Sequence, residues 1–187
     1  MKRYTFLIMT VLSLLLSGQV WLERHCPLYE GALRFHVRAA SNDRLEQELK
    51  LRVRDSLLEQ IRSQTDRADS AGELEESLME ERTDIQRCAI DCLKAQGCER
   101  KVKVYFTKER FPIRRYGAII FPAGVYSALR VDIGEAKGHN WWCALYPDLC
   151  YNDDDFILSG KGLKDLKEIF FGKGLKNNKK KGRKNGK

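Results

Sequence analysis

The feature that most restricts the fold of this chain is a change in the spacing of its apolar residues. In the segment 45–61, leucine, valine and isoleucine recur at every fourth residue, as on the buried side of an amphipathic helix. In the segments 102–106 and 125–133, largely apolar positions alternate with polar ones, which is typical of half-buried strands. Elements that are apolar on one side must pack against one another. The order therefore predicts an α+β fold, with an antiparallel sheet of about four strands and two or three helices on one face.

Local signals place the ends of these elements. Ser41-Asn42-Asp43 offers helix N-caps, Gly97 is a helix stop, and Pro122-Ala123-Gly124 indicates a turn. The predicted elements are, in chain order, a strand at 33–38, a helix that ends near Arg62, a polar loop at 63–72, a helical region from Leu74 to Gly97 that restarts at Thr83, a strand at 102–106, and a hairpin of 116–121 with 125–133.

The N-terminal segment predicts export. Lys2 and Arg3 are followed by a run without charge from Tyr4 to Leu22, and most of this run is strongly apolar. A basic start before such a run is typical of an export signal, and the run is close to the roughly 20 residues that span a bilayer. Residues 1–22 are therefore interpreted as a signal peptide or an N-terminal membrane anchor, with the rest of the chain outside the cytoplasm.

The positive charge of the chain lies at its C-terminal end. The net charge is +8, and residues 173–187 hold seven lysines, one arginine and no acid, so the remainder is about neutral. This argues against a nucleic-acid-binding fold, whose basic residues would lie on the folded elements.

We interpret 23–32 as a linker, 33–151 as the domain, 152–172 as an extension with a short amphipathic helix, and 173–187 as a disordered tail. The tail is expected to be solvated, or to associate with anionic lipid or wall polymer.

Five segments resemble one known family. They are Leu33–Val37, Gln47–Asp55, Phe111–Gly117, Pro122–Gly134, and Asn140-Trp141-Trp142-Cys143 with Pro147 and Cys150. Together they resemble stage II sporulation protein R over about residues 33–151. The Asn-Trp-Trp-Cys block that follows the hairpin is the most specific of these segments.

The resemblance implies a signalling function in endospore formation. Members of the family are made in the forespore and exported into the space between the forespore and mother-cell membranes. There they activate a membrane-embedded aspartic protease that cleaves the pro-sequence of sigma factor E. The chain is then a protein ligand and not an enzyme, with no cofactor, no small-molecule substrate and no nucleic acid as partner.

Within this resemblance, the segment 138–150 is the expected contact with the protease. Trp, Tyr and Arg carry much of the energy of protein interfaces, and two adjacent tryptophans do not easily both point inward. The alternative is that both tryptophans are structural. Arg54, Asp55 and Arg114 are alternative contact residues. The expected partner-binding set is Arg130, His139, Asn140, Trp141, Trp142 and Tyr146.

The cysteines predict a disulfide in an exported domain. Cys143 and Cys150 would close an eight-residue loop, which stabilises the fold by about 2.5 kcal/mol through loop entropy. The alternative is a pair of buried free thiols. Two of the three residues Cys88, Cys92 and Cys98 could form a second bridge, and Cys26 would then have no disulfide partner. With His139 they also have the residue types of a zinc site, although the spacing fits no compact finger and no metal is expected.

Other function classes remain open from the sequence alone. His36, His139 and Cys143 with Asp132 have the residue types of a nucleophile, base and orienting acid, but no nucleophile elbow accompanies them. A structural or wall-associated domain of the spore envelope is the first alternative function. A thiol- or zinc-dependent extracytoplasmic hydrolase is the second.

Overall fold

The computed structural model describes residues 2–25, 31–116, 119–150, 164–166 and 169. Its helices and strands come in separate runs, as expected of an α+β chain. They are α1 (Lys2–His25), β1 (Leu33–Arg38), α2 (Arg44–Gln60), α3 (Arg62–Arg67), α4 (Ala71–Glu80), α5 (Arg82–Ala95), β2 (Val102–Phe111), β3 (Arg114–Tyr116), β4 (Ile119–Phe121), β5 (Gly124–Ile133) and β6 (Asn140–Tyr146).

Helices α2 to α5 form a layer whose ends follow from local chemistry. The Ser70 hydroxyl accepts a hydrogen bond from the Glu73 amide and caps α4. Gly97 has a φ of +70°, the left-handed conformation that glycine adopts most readily, and it lies just beyond the end of α5. The apolar side of α2, including Val53 and Leu57, is buried against the sheet and the other helices.

The main sheet has the strand order β2-β5-β1-β6. β5 pairs antiparallel with β2 and parallel with β1, and β1 pairs antiparallel with β6. Leu33, Phe35 and Val37 of β1 face the helices and are fully buried. The other side of the sheet, here called the open face, carries a second and smaller apolar cluster that includes Phe111, Phe121 and Tyr126. Strands β3 and β4 form a separate two-stranded sheet.

The predicted α+β class and four-stranded sheet are confirmed, with differences in pairing. The sheet is mixed and not wholly antiparallel. The helices carry the chain from β1 to β2, and β5 pairs antiparallel with β2. The other neighbour of β5 is β1, and these two strands run in the same direction. The predicted hairpin of 116–121 with 125–133 is wrong. Both sides of β5 are occupied, by β2 and β1, so β4 pairs with β3 instead.

The helical layer contains more elements than expected. Among the described residues four helices lie between β1 and β2, where two or three were predicted. The polar segment 63–72 holds the short helix α3, in which Gln64 and Thr65 are buried. Thr65 donates its hydroxyl to the Ile61 carbonyl at 3.0 Å, so a polar side chain is buried with its hydrogen bond satisfied. The predicted restart within the second helical region corresponds to the break between α4 and α5 at Glu81.

Three predictions concern parts of the chain that are only partly described. No helix among the described residues is both long enough and apolar enough to cross a membrane. Of the predicted helix in 152–172, residues 164–166 and 169 are described and are helical. Leu166 is buried in the cluster on the open face, and the Asp165 carboxylate accepts a hydrogen bond from the Asp148 amide at 3.2 Å. The tail 173–187 and Cys26 lie outside the described residues.

Candidate interaction surface

The strand register sets two rows of side chains across the open face. One row crosses all four strands through Tyr105, Arg130, His36 and Trp142. The neighbouring row contains Lys103, Asp132, Arg38 and Asn140. Residues two positions apart on a strand share a face, so the polar alternation of β1 and β5 becomes a continuous polar surface.

An ion-pair network holds the middle of this face together. His36 Nδ1 contacts the carboxylate of Glu109, and the other oxygen of Glu109 accepts from Arg130 at 2.8 Å. Arg130 also donates to Asp132 at 2.9 Å, and the hydroxyl of Tyr105 donates to the second oxygen of Asp132 at 2.8 Å. Both carboxylates are therefore occupied by partners within the network.

Burial, hydrogen bonding and charge shift the pKa values of Tyr105 and Glu109 in this network. Burial, with the hydrogen bond to Asp132, raises the pKa of Tyr105 to about 12, so Tyr105 remains a donor at neutral pH. Burial alone would raise the pKa of Glu109. The hydrogen bond and charge of His36, together with those of Arg130, outweigh burial and hold the pKa of Glu109 below its usual value. The network thus favours an ionised Glu109.

A buried arginine anchors the small β3–β4 sheet to the open face. Arg34 is fully buried, and its guanidinium carbon lies 4.7 Å from the ring centres of both Phe111 and Phe121. It donates to the Cys143 carbonyl at 3.0 Å and to the Tyr116 hydroxyl at 2.9 Å. Burial lowers the pKa of Arg34, and these aromatic and oxygen contacts offset part of the cost of burying the cation.

A cleft of about 360 Å³ opens beside this anchor, at the end of the open face. We call it the basic cleft, because its charged side chains are all basic. It is lined by Arg38, Asn42, Arg114, Lys137, Gly138, His139, Asn140 and Trp142.

The loop that forms one wall of the basic cleft is closely packed. Gly138 is buried, its amide donates to the Ala39 carbonyl at 2.9 Å, and a side chain at this position would overlap the Ser41 carbonyl. The amide of His139 donates to the Asn42 side chain at 2.7 Å. Lys50 donates to the His139 carbonyl at 3.1 Å, and burial lowers the pKa of Lys50. The loop is thus hydrogen-bonded to residues that lie before and after the start of α2.

The cations of the basic cleft differ in how they are neutralised. Lys137 pairs with Glu135 at 2.7 Å, and both side chains are exposed. The guanidinium of Arg114 stacks on Trp142, 4.4 Å from the ring centre. Arg38 makes a long contact to the Gly138 carbonyl, at 3.4 Å. Among the described residues, neither arginine has a carboxylate within ion-pair distance.

The two adjacent tryptophans point to opposite faces of the sheet. Trp141 packs edge-on against Phe35 on the helical face, with ring centres 5.9 Å apart, and Arg54 stacks on it at 4.9 Å. Trp142 lies on the open face, beside His36 and in the wall of the basic cleft. Both are half-buried. Only Trp142 therefore joins the polar surface.

The other expected contact residues are divided in the same way. His139 and Asn140 line the basic cleft. Arg130 lies on the same face, within the ion-pair network. Tyr146 is 2% exposed and donates its hydroxyl to the Asp69 carbonyl at 2.9 Å, so it packs inside the fold. Of the alternatives, Arg54 contacts Asp55 at 2.6 Å, whereas Arg114 lines the cleft.

The cysteines are found in two states. Cys143 and Cys150 form a disulfide, with their Cα atoms 5.4 Å apart. Cys88, Cys92 and Cys98 are free thiols, and burial raises the pKa of Cys92. No group of three or more His, Cys, Asp or Glu residues within the described ranges is arranged to hold a metal ion.

The residues considered for a nucleophile and base are not brought together. The sulfur of Cys143 lies in the disulfide, and its side chain belongs to the cluster on the helical face. His36 lies on the open face and pairs with Glu109, while His139 lies in the loop of the basic cleft.

Comparison with known proteins confirms the resemblance seen in the sequence. The family model for stage II sporulation protein R matches residues 29–155, which contain the main sheet, helices α2 to α5 and the basic cleft. The chain belongs to the stage II sporulation protein R family. Membership in this family supports a function in sporulation.

One relative shows how far the likeness extends. Stage II sporulation protein R of Bacillus subtilis (strain 168) is 29% identical over 139 residues, which is 74% of this chain. The match spans 61% of the length of that relative. No solved structure matches the chain.

Sequence reasoning missed three contributors to the basic cleft. They are Arg38, Asn42 and Lys137. The alternation of β1 carried a usable signal for Arg38, since it places Arg34, His36 and Arg38 on one face. What the sequence did not reveal was that β6 lies beside β1 and brings Asn140 directly opposite Arg38.

Proposed function

We propose that this chain is an exported signalling protein of endospore formation that activates a membrane-embedded aspartic protease and so leads to cleavage of pro-sigma factor E. Family membership supports a sporulation function. The basic start and the uncharged run from Tyr4 to Leu22 support export, here to the space between the forespore and mother-cell membranes. Under this proposal the chain acts by binding and does no chemistry itself.

The observation that carries the proposal is the position of Trp142. The most distinctive family segment, Asn140 to Cys143, forms the start of β6, which is an edge strand of the main sheet as far as the described residues go. Trp142 is half-buried there, stacked under Arg114 and beside the basic cleft. A tryptophan and an arginine that share a partly exposed surface are typical anchors of a protein interface.

Reconstitution tests this proposal. The chain with its N-terminal segment would be expressed with the protease and pro-sigma factor E in a cell that does not sporulate, and sigma factor size would be read on a gel. We expect the shortened sigma factor only when the chain is present. Absence of cleavage, with all three proteins made and this one exported, would contradict the proposal.

A paired substitution tests the surface within the same assay. Trp142→Ala should abolish cleavage, because it removes the aromatic anchor while leaving the helical face intact. Trp141→Phe keeps an aromatic ring against the core and should retain cleavage. Export of each variant would be checked by fractionation, so that loss of signal is not loss of delivery. Equal cleavage with both variants would remove Trp142 from the interface.

A further inference from the structure

Two arginines at one end of the open face have no carboxylate partner among the described residues. The carboxylates of Glu109 and Asp132 are engaged by His36, Arg130 and Tyr105. Asp132 lies opposite Arg38 in the strand register, yet it pairs with Arg130. The arginines of the basic cleft, Arg38 and Arg114, therefore converge on a common space without an acid from the described residues.

The basic cleft also holds an unpartnered acceptor. The Oδ1 atom of Asn140 is buried and has no hydrogen-bond partner among the described residues, although Asn140 lines the cleft. A buried oxygen without a donor costs free energy unless an incoming group supplies an N–H. Guanidinium groups, in turn, bind carboxylates through two parallel hydrogen bonds. One ligand class satisfies both requirements, namely a peptide that brings a carboxylate and a backbone N–H together.

We infer that the basic cleft binds an acidic segment of the partner protein. An Asp or Glu carboxylate of that segment binds Arg38 and Arg114, and a backbone N–H of the same segment donates to Asn140 Oδ1. Trp142 forms the apolar wall against which the segment packs. This inference rests on the proposed function, since it states the chemistry that the protease must present to this surface.

A double substitution tests the inference in the reconstituted cell. Arg38→Gln with Arg114→Gln removes two charges from the cleft. The control, Lys108→Gln with Arg110→Gln, removes two exposed charges from β2, at the opposite edge of the sheet. Capture of the detergent-solubilised protease by each full-length variant would be measured together with sigma factor cleavage. Thermal melts of the purified variants would establish that each is folded.

We expect the cleft variant to bind the protease about tenfold more weakly, or worse, for each arginine removed, since each substitution removes charge-assisted hydrogen bonds. The control should bind and signal as the wild type does. If the cleft variant is folded and exported yet binds and signals normally, the inference is wrong while the proposed function stands. If the wild type itself triggers no cleavage, the proposed function fails.

A milder variant covers the case in which the double substitution does not fold. The side chain of Lys137 is 75% exposed, so Lys137→Gln leaves the packing of the domain unchanged. It should weaken capture of the protease at low salt, and the difference from the wild type should vanish at high salt. A Lys137→Gln variant that matches the wild type at low salt would count against the cleft.

Substitutions in the protease test whether the ligand of the cleft is a peptide carboxylate or another anion. Acidic residues in the outward-facing loops of the protease would be replaced by Asn or Gln, one loop at a time. One loop should reproduce the loss seen with the cleft variant. If no loop does so, the cleft does not bind an acidic segment of the protease and the inference is overturned.

Discussion

The two faces of the main sheet are built on different physical principles. On the helical face, apolar residues such as Phe35, Val53 and Leu129 are fully buried between strands and helices. On the open face, charged and aromatic residues are held by hydrogen bonds, ion pairs and stacking. The first face gains its stability from the area it removes from water, whereas the second depends on specific pairing. Adjacent residues of one strand, such as Trp141 and Trp142, thus belong to different parts of the protein.

The largest effect on stability is expected on the helical face. Phe35 has no exposed surface, and Phe35→Ala should lower the free energy of unfolding by about 3–5 kcal/mol because it leaves a cavity in the core. Denaturant unfolding followed by circular dichroism measures this loss. Lys108→Ala, an exposed position on β2, is the control and should change the free energy by less than about 0.5 kcal/mol. A small effect of Phe35→Ala would show that the helical face does not carry the stability.

The disulfide provides the second effect. Replacing both Cys143 and Cys150 by serine should lower the free energy of unfolding by about 2.5 kcal/mol, since the loop of eight residues is no longer closed in the unfolded chain. Adding a reductant to the wild type should reproduce the loss. Cys88→Ser, which removes a free thiol, is the matched control. Equal stability of the oxidised and reduced wild type would contradict this account.

The ion-pair network on the open face predicts a loss of stability in acid. Because the pKa of Glu109 lies below its ordinary value of 4.5 in the folded state, the ionised group stabilises the fold above that pH. This contribution is lost as the pH falls through the folded-state pKa. The wild type should therefore be more stable than Glu109→Gln near neutral pH, and the gap should close in strong acid. Thermal melts across this range measure the gap.

An exposed acid outside the network is the control. Glu76 lies on the surface of α4, and Glu76→Gln should be about as stable as the wild type near neutral pH, because it leaves the network intact. A stability difference between the wild type and Glu109→Gln that stays constant from neutral to acid pH would mean that the ionised form of Glu109 does not stabilise the network.

The smallest effect on stability should accompany a large effect on signalling. Trp142→Ala removes a half-buried ring from the open face and should lower the free energy of unfolding by about 1 kcal/mol. Trp141→Ala removes the edge contact to Phe35 and should cost about 2 kcal/mol. Comparing denaturant midpoints with protease activation distinguishes the two faces. A Trp142→Ala variant that is the less stable of the pair would reverse the assignment.

The helical face could be predicted because hydrophobic burial leaves a periodic record in the sequence. The four-residue spacing of α2 and the alternation of β1 and β5 predicted residues that are buried against the helical layer, such as Val53, Phe35 and Leu129. Two residues of the same patterns, Leu45 and Val125, are exposed. The pairing of β5 with both β1 and β2 could not be predicted in this way, since alternation does not specify neighbours. The predicted hairpin with β4 failed for this reason.

The open face was harder to predict because its partners are distant in sequence. Arg34 and Tyr116 are 82 residues apart, and Arg38 and Asn140 meet only after β6 has paired with β1. The short motif around Trp141 and Trp142 pointed to the correct region. It did not show that the two rings lie on opposite sides, which depends on β6 being a strand and not a loop.

The central claim is that the open face of this chain switches on a membrane protease, and sigma factor size in the reconstituted cell tests it most directly. We predict complete shortening of pro-sigma factor E with the wild type and with Lys108→Gln/Arg110→Gln, and no shortening with Trp142→Ala or when the chain is left out. Pro-sigma factor E that stays full-length beside an exported wild-type chain would contradict the claim.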